Sequence, residues 1–159
     1  MPDLPVRTVT VSAQMHLAHP AADIWPLLCP VREYDWIDIW KCEILHCVSG
    51  VNEVGCVFRT DFPAYGEEVW VTSRFEPVER LEFVRVSSGH AVRYVITLSP
   101  DGDGTRLIWT QHITSLDNKG VAAAATDEAF QALVATLEAM LGHYLDTGQM
   151  LTGRAAADR

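Results

Sequence analysis

HAVRYVITLSPDGDGTRLIWTQHITS, residues 90–115, is the stretch on which the fold turns. Val92, Tyr94, Ile96 and Leu98 recur at every second position, and so do Leu107, Trp109, Gln111 and Ile113. A period of two marks half-buried strands over 90–99 and 105–115. Between them, Asp101-Gly102-Asp103-Gly104 is a hairpin signal, so the two strands are antiparallel neighbours.

Upstream, strand-like runs at 41–49, 54–62, 67–76 and 80–87 are punctuated by Ser49-Gly50, Pro63 to Gly66, Pro77 and Ser88-Gly89. No helical pattern intervenes, which argues an antiparallel meander rather than a parallel sheet. Residues 7–17 add another alternating strand, with Val9, Val11, Ala13, Met15 and Leu17 on one face. Pro26 and Pro30 then interrupt any helix after it, leaving two short pieces at about 20–28 and 31–37. Downstream of Lys119-Gly120 the chain turns Ala-rich, and Phe130, Leu133, Leu137, Met140 or Leu141, and Tyr144 recur at helical spacing. The spacing predicts a helix over 120–147 with Phe130, Leu133, Leu137 and Tyr144 toward the sheet. Gly148 is its stop, and 152–159 is expected to be a flexible tail. The whole is an α+β chain, one domain over 1–159 with its core in 7–147. A curved antiparallel sheet of six to seven strands surrounds a long C-terminal helix, with two short helices after the first strand.

Composition narrows the function classes. A chain of 159 residues buries roughly 70% of its unfolded surface and needs no staples. Its formal charge of −9 repels phosphate backbones and anionic headgroups, so neither nucleic acid nor an electrostatic membrane surface is an expected partner. No run approaches the roughly 18 apolar residues of a membrane span, and nothing reads as a secretory signal. Cys29, Cys42, Cys47 and Cys56 lack zinc-site spacing, and reduced thiols in the cytoplasm are the simplest reading. A metal shared by Cys42, His46 and Cys56 is disfavoured, because strand residues four apart lie roughly 13 Å from each other. No metal or cofactor is expected. Serine-hydrolase elbows, phosphate loops and dinucleotide fingerprints are missing from the sequence.

Several stretches carry a resemblance. Leu17-Ala18-His19-Pro20-Ala21-Ala22-Asp23-Ile24-Trp25 looks like a strand-to-helix passage, and Val54-Gly55 opens a strand. Arg80-Leu81-Glu82-Phe83 and Asp101-Gly102-Asp103-Gly104-Thr105-Arg106-Leu107-Ile108-Trp109-Thr110 look like later strands. In this order they resemble the START-like helix-grip superfamily (SRPBCC), also called the polyketide cyclase/dehydrase and lipid-transport superfamily. Residues 30–40 resemble a bacterial subgroup of it. The resemblance covers residues 7 to about 147. It implies an internal cavity between sheet and helix, but no shared catalytic motif, since such folds serve cyclases, carriers, receptors and chaperone activators.

The residues lining that cavity follow from parity. Polar residues on otherwise apolar strand faces are His46, Thr60, Ser73, Tyr94 and Gln111. Phe58 and Trp109 share those faces, Leu137 and Tyr144 project from the helix, and Trp36 and Trp40 stand near the expected mouth. A one-residue bulge inverts any of these faces. The expected function is binding of a small hydrophobic or aromatic molecule, lipid-like or polyketide-like. One alternative is a cyclase or dehydratase pairing His46 or Tyr94 with Asp35 or Asp38. Another is a protein-interaction module of the chaperone-activator kind. Because Pro26 and Pro30 break the short helices, that segment is expected to act as a lid, with Trp36 as part of its gate.

Overall fold

The computed structural model describes residues 7–153. Seven strands form one antiparallel sheet in the order β1-β7-β6-β5-β4-β3-β2. They are β1 (Thr8–Leu17), β2 (Glu43–His46), β3 (Val57–Phe62), β4 (Gly66–Glu76), β5 (Arg80–Val86), β6 (His90–Asp101) and β7 (Gly104–Ser115). The β6–β7 hairpin closes with Asp101 opposite Gly104. A side chain at Gly104 would collide with the carbonyl of Leu17, so glycine is what lets β1 and β7 meet at this corner.

Between β1 and β2 lie α1 (Ala21–Ile24), a 3-10 turn at Trp25–Leu27 and another at Glu33–Asp35. Pro26 has no N–H to continue α1, which therefore ends after four residues in the tighter turn. The long helix α2 spans Asp127–Thr147. It starts seven residues later than the Ala-rich composition suggests, because Thr126 caps it by accepting a hydrogen bond from the Ala129 N–H at 3.2 Å. Gly148 ends it at φ 69°, the left-handed stop. Of the expected tail, Thr152 and Gly153 are exposed, and residues 154–159 lie outside the described residues.

The helix faces the sheet along a seam that differs from the expected one by one residue. Phe130, Val134 and Leu141 are buried and Leu137 is half-buried, whereas Leu133 is 41% exposed. Steps of four, three and four keep the seam on one face, and Leu133 falls about a fifth of a turn to its side. The helix backbone approaches β1 most closely. There, Asp127 accepts from the Ser12 N–H at 2.8 Å and Glu138 from the His16 N–H at 2.9 Å. These carboxylates occupy the free donors of an edge strand, which would otherwise invite another strand. No helix among the described residues is long and apolar enough to cross a membrane.

Candidate functional site

The concave face of the sheet is aromatic. Phe58 stacks on Trp70 at 5.4 Å, Trp70 lies 5.8 Å from Phe83 and 6.2 Å from Tyr94, and Tyr94 lies 6.0 Å from Trp109. Helix α2 adds Phe130, 6.1 Å from Tyr94. Trp40 closes the other end, 6.3 Å from Phe58 and 5.9 Å from Phe62.

A charged group sits among these rings. Arg85, with its side chain 14% exposed, donates from Nη1 to Glu68 at 3.3 Å and from Nη2 to Gln111 at 3.0 Å. Its guanidinium lies 5.3 Å from the Trp70 ring and 5.9 Å from the Tyr94 ring, a cation–π arrangement on two faces. The register explains the grouping: Trp70 lies opposite Arg85 on β4 and β5, and Tyr94 opposite Gln111 on β6 and β7. Burial holds the Glu68 carboxyl above its ordinary range, although the charges of Arg85 and His90 pull it back. Burial likewise pushes the Tyr94 phenol to about 12, against the hydrogen bond to Gln111 and the charge of Arg85. Two buried donors, Arg85 Nε and Trp109 Nε1, have no partner among the described residues.

Facing the sheet is the segment of the second 3-10 turn. Burial alone pushes the Glu33 carboxyl up to about 8. It nevertheless keeps intermediate accessible surface. Its charge acts on Tyr94, Cys29 and Cys42, so its carboxyl faces inward. Side chains reaching backbone carbonyls hold the segment. Trp36 Nε1 donates to Leu27 O and Trp40 Nε1 to Pro30 O, each at 2.8 Å. The Tyr34 hydroxyl donates to Cys42 O and accepts from the Cys42 N–H, both at 2.9 Å.

The residues nominated from sequence divide clearly. Phe58, Thr60, Tyr94, Trp109 and Gln111 are buried on the concave face, and Trp40, Leu137 and Tyr144 are half-buried around it. His46 is exposed on the short edge strand β2, and Ser73 is exposed as well. Ser73 is displaced because β4 bulges between Thr72 and Arg74. On β4 the inward residues are therefore Glu68, Trp70 and Thr72 before the bulge and Phe75 after it. Trp36 is fully buried with its indole bonded, so it belongs to the core and not to a gate. The acid/base pairing fails as well. Asp35 is engaged by Arg32 at 2.6 Å, Asp38 accepts from the Gly153 N–H at 2.6 Å, and His46 is at the surface.

Parity missed Glu33, Glu68, Trp70 and Arg85. For Arg85 the signal was present: Leu81, Phe83 and Arg85 alternate on β5, and a charge that continues an apolar face is out of place on a surface strand. Two shallow surface grooves flank β1 and α2, one containing Arg106 and Asp101 and the other His19 and Asp146. They are solvent-open and lie outside the aromatic face, and the perturbed groups Glu33, Glu68 and Tyr94 are not among their walls. Among the described residues no three His, Cys, Asp or Glu side chains are grouped to hold a metal.

No protein-family model matches the chain, and no curated protein matches it. Solved structures do. DynU16, a putative protein in the dynemicin biosynthetic locus, superposes with a TM-score of 0.64 at 20% identity. The match covers 93% of this chain and 49% of that one, so the chain spans about half of DynU16. Protein MLL2253 from Mesorhizobium loti matches with a TM-score of 0.66 at 18% identity, covering 87% of this chain and 97% of that one. A Thalictrum norcoclaurine synthase point mutant, in complex with a transition-state analogue, matches with a TM-score of 0.65 at 15% identity, covering 92% and 99%. The fold is a helix-grip. At these identities the likeness is one of fold, and activity has to be argued from the site itself.

Proposed function

We propose that the chain binds a small hydrophobic or aromatic molecule between the concave face of the sheet, α2 and the segment from Trp25 to Trp40. The observation that carries this reading is the accessibility of inward-facing groups. In a close-packed core large inward side chains lose nearly all accessible surface. Here Glu33, Trp40, Trp70, Leu137 and Tyr144 all keep intermediate surface while facing the interior. For Glu33, whose carboxyl burial pushes up to about 8, the remaining surface supports an opening between this segment and the sheet. Mostly apolar walls with a few convergent polar groups are the usual make-up of a small-molecule site. The free cysteines Cys29, Cys42, Cys47 and Cys56 support a reducing, cytoplasmic setting.

Thermal unfolding in the presence of fatty acids, naphthalene and polycyclic phenols tests the proposal. A ligand at 100 times its Kd adds about 2.7 kcal/mol, which raises Tm by roughly 5–11 °C for a domain of this size. Absence of any rise across the panel would remove the reading.

One observation favours a second reading, a cyclase- or dehydratase-type enzyme. A carboxyl at about 8 exchanges its proton near neutral pH, which suits a general acid/base. Tyr94, pushed up to about 12, stays protonated there and offers an O–H donor. Deuterium exchange at the acidic C–H of a bound aromatic ketone, followed by NMR, distinguishes catalysis from storage. Exchange accelerated by the wild type and abolished by Glu33→Gln supports catalysis, and exchange no faster than in buffer excludes it.

A further inference from the structure

Within the binding reading above, the chemistry of the occupant is open, and two unpaired donors on the concave face narrow it. We infer that Arg85 and Trp109 form the polar end of the site and that the bound molecule is an aromatic carrying an acceptor oxygen, a carboxylate, phenolate or carbonyl, at that end.

The guanidinium offers five N–H groups in a fixed fork. A buried arginine kept for structure alone is best served by a bidentate carboxylate that takes Nε and one Nη together. Glu68 instead meets Nη1 with a single bond at 3.3 Å, and Gln111 takes Nη2 at 3.0 Å. The Nε–H is left buried and unpaired. Trp109 is a parallel exception. The indoles of Trp36, Trp40 and Trp70 donate to Leu27 O, Pro30 O and Thr60 Oγ1 at 2.8, 2.8 and 3.0 Å. Trp109, only 4% exposed, donates to nothing among the described residues.

Both exceptions border one ring. Arg85 Cζ lies 5.9 Å from the centre of Tyr94, and the Trp109 ring lies 6.0 Å from it. Gln111, which touches Arg85, is two residues from Trp109 on the same face of β7. The surplus at this end is therefore of donors, and an acceptor is what satisfies it. The neighbouring walls are Phe58, Phe83 and Phe130, which suit an aromatic frame rather than a polar one. Glu68 opposes an anionic oxygen, but burial holds its carboxyl above the ordinary range against the pull of Arg85 and His90, which weakens the opposition.

The test is fluorescence titration of the full chain with four compounds of one frame: naphthalene, 2-naphthoate, 2-acetonaphthone and 2-naphthylmethylammonium. The expected order is at least tenfold tighter binding of naphthoate or acetonaphthone than of naphthalene, with the ammonium weakest. The paired variant Arg85→Gln with Glu68→Gln avoids an uncompensated buried charge. It should lose at least fivefold of the preference of the acceptor compounds over naphthalene. Trp109→Phe keeps an aromatic ring but removes the indole N–H and some core volume; its readout is a reduced ratio of acceptor to naphthalene affinity, measured on the folded variant. Naphthalene binding with no gain from an acceptor, or a preference unchanged in both variants, overturns the inference and leaves the binding reading standing. In that case ordered water satisfies the two donors. Failure of all four compounds overturns the binding reading, and the inference with it.

Discussion

Replacing Glu33 by Gln keeps the shape of the side chain and removes its charge, so the variant isolates the cost of ionising a carboxyl inside the fold. Burial moves this group from its ordinary 4.5 to about 8. Each pH unit of difference between folded and unfolded chains is about 1.4 kcal/mol, so the interval corresponds to at most about 5 kcal/mol. The side chain retains some accessible surface, and screening there reduces the expected effect to about 2–4 kcal/mol. The sign follows from which state holds the proton more tightly. The folded chain does, so the contribution is fully present below pH 4.5, declines as pH rises, and is gone above about 8. Urea unfolding of wild type and Glu33→Gln at pH 4.5, 6, 7 and 8.5 reads it directly. The wild type should lose about 2–4 kcal/mol relative to the variant across that range. Parallel stability curves would refute the placement of Glu33 in a water-poor interior.

Leu141 is fully buried on α2, whereas Leu133 is 41% exposed. Leu141→Ala should therefore cost about 2–5 kcal/mol and Leu133→Ala under about 0.5 by urea denaturation, and equal costs would mean that the helix is rotated. Trp36→Ala removes a fully buried indole and its bond to Leu27, which should cost about 3–5 kcal/mol; a small cost together with weakened ligand binding would restore the gate. On the convex face Glu82 is held by Arg74, Arg80 and Arg93. Burial pushes its carboxyl up, but the bonds from Arg80 and Arg93 prevail and hold it below its ordinary 4.5. Its stabilisation is present above pH 4.5 and lost as pH falls. The acid limb of a stability–pH profile should accordingly be shallower in Glu82→Gln, and an unchanged limb would show that the arginines do not act on it.

The antiparallel meander from β2 to β7 was legible because period-two alternation and the turn at Asp101 to Gly104 are local signals, read over a few residues each, whereas the pairing of β1 with β7 joins distant segments and leaves no local mark. The concave faces of β3, β6 and β7 followed from the same alternation, which placed Phe58, Thr60, Tyr94, Trp109 and Gln111 inward. Alternation failed on β4, where Ser73 lies at a bulge. A bulge depends on the partner strand, so nothing in Val69 to Phe75 taken alone announces it. His46 was misplaced for a related reason. Both faces of the run 41–49 carry apolar residues, but only Glu43–His46 forms a strand, and an edge strand of four residues has a neighbour on one side only and buries little. Glu33 was legible as composition, one of three carboxylates in an aromatic stretch. Which of the three turns inward was decided by two anchors, the neighbouring Arg32 on Asp35 and the distant Gly153 on Asp38. The start of α2 was readable in hindsight from Thr126, a good N-cap residue that the run of alanines overshadowed.

Entry of a small aromatic molecule into the space lined by the concave face is reported most directly by the five tryptophans. Each indole N–H gives its own signal in a two-dimensional nitrogen–proton spectrum, recorded with and without a saturating naphthalene-type ligand. The signals of Trp70 and Trp109 should shift, that of Trp40 should follow, and that of Trp36, bonded to Leu27 in the core, should stay in place. Saturable shifts confined to Trp25 and Trp36, or no shift in any of the five, would contradict it.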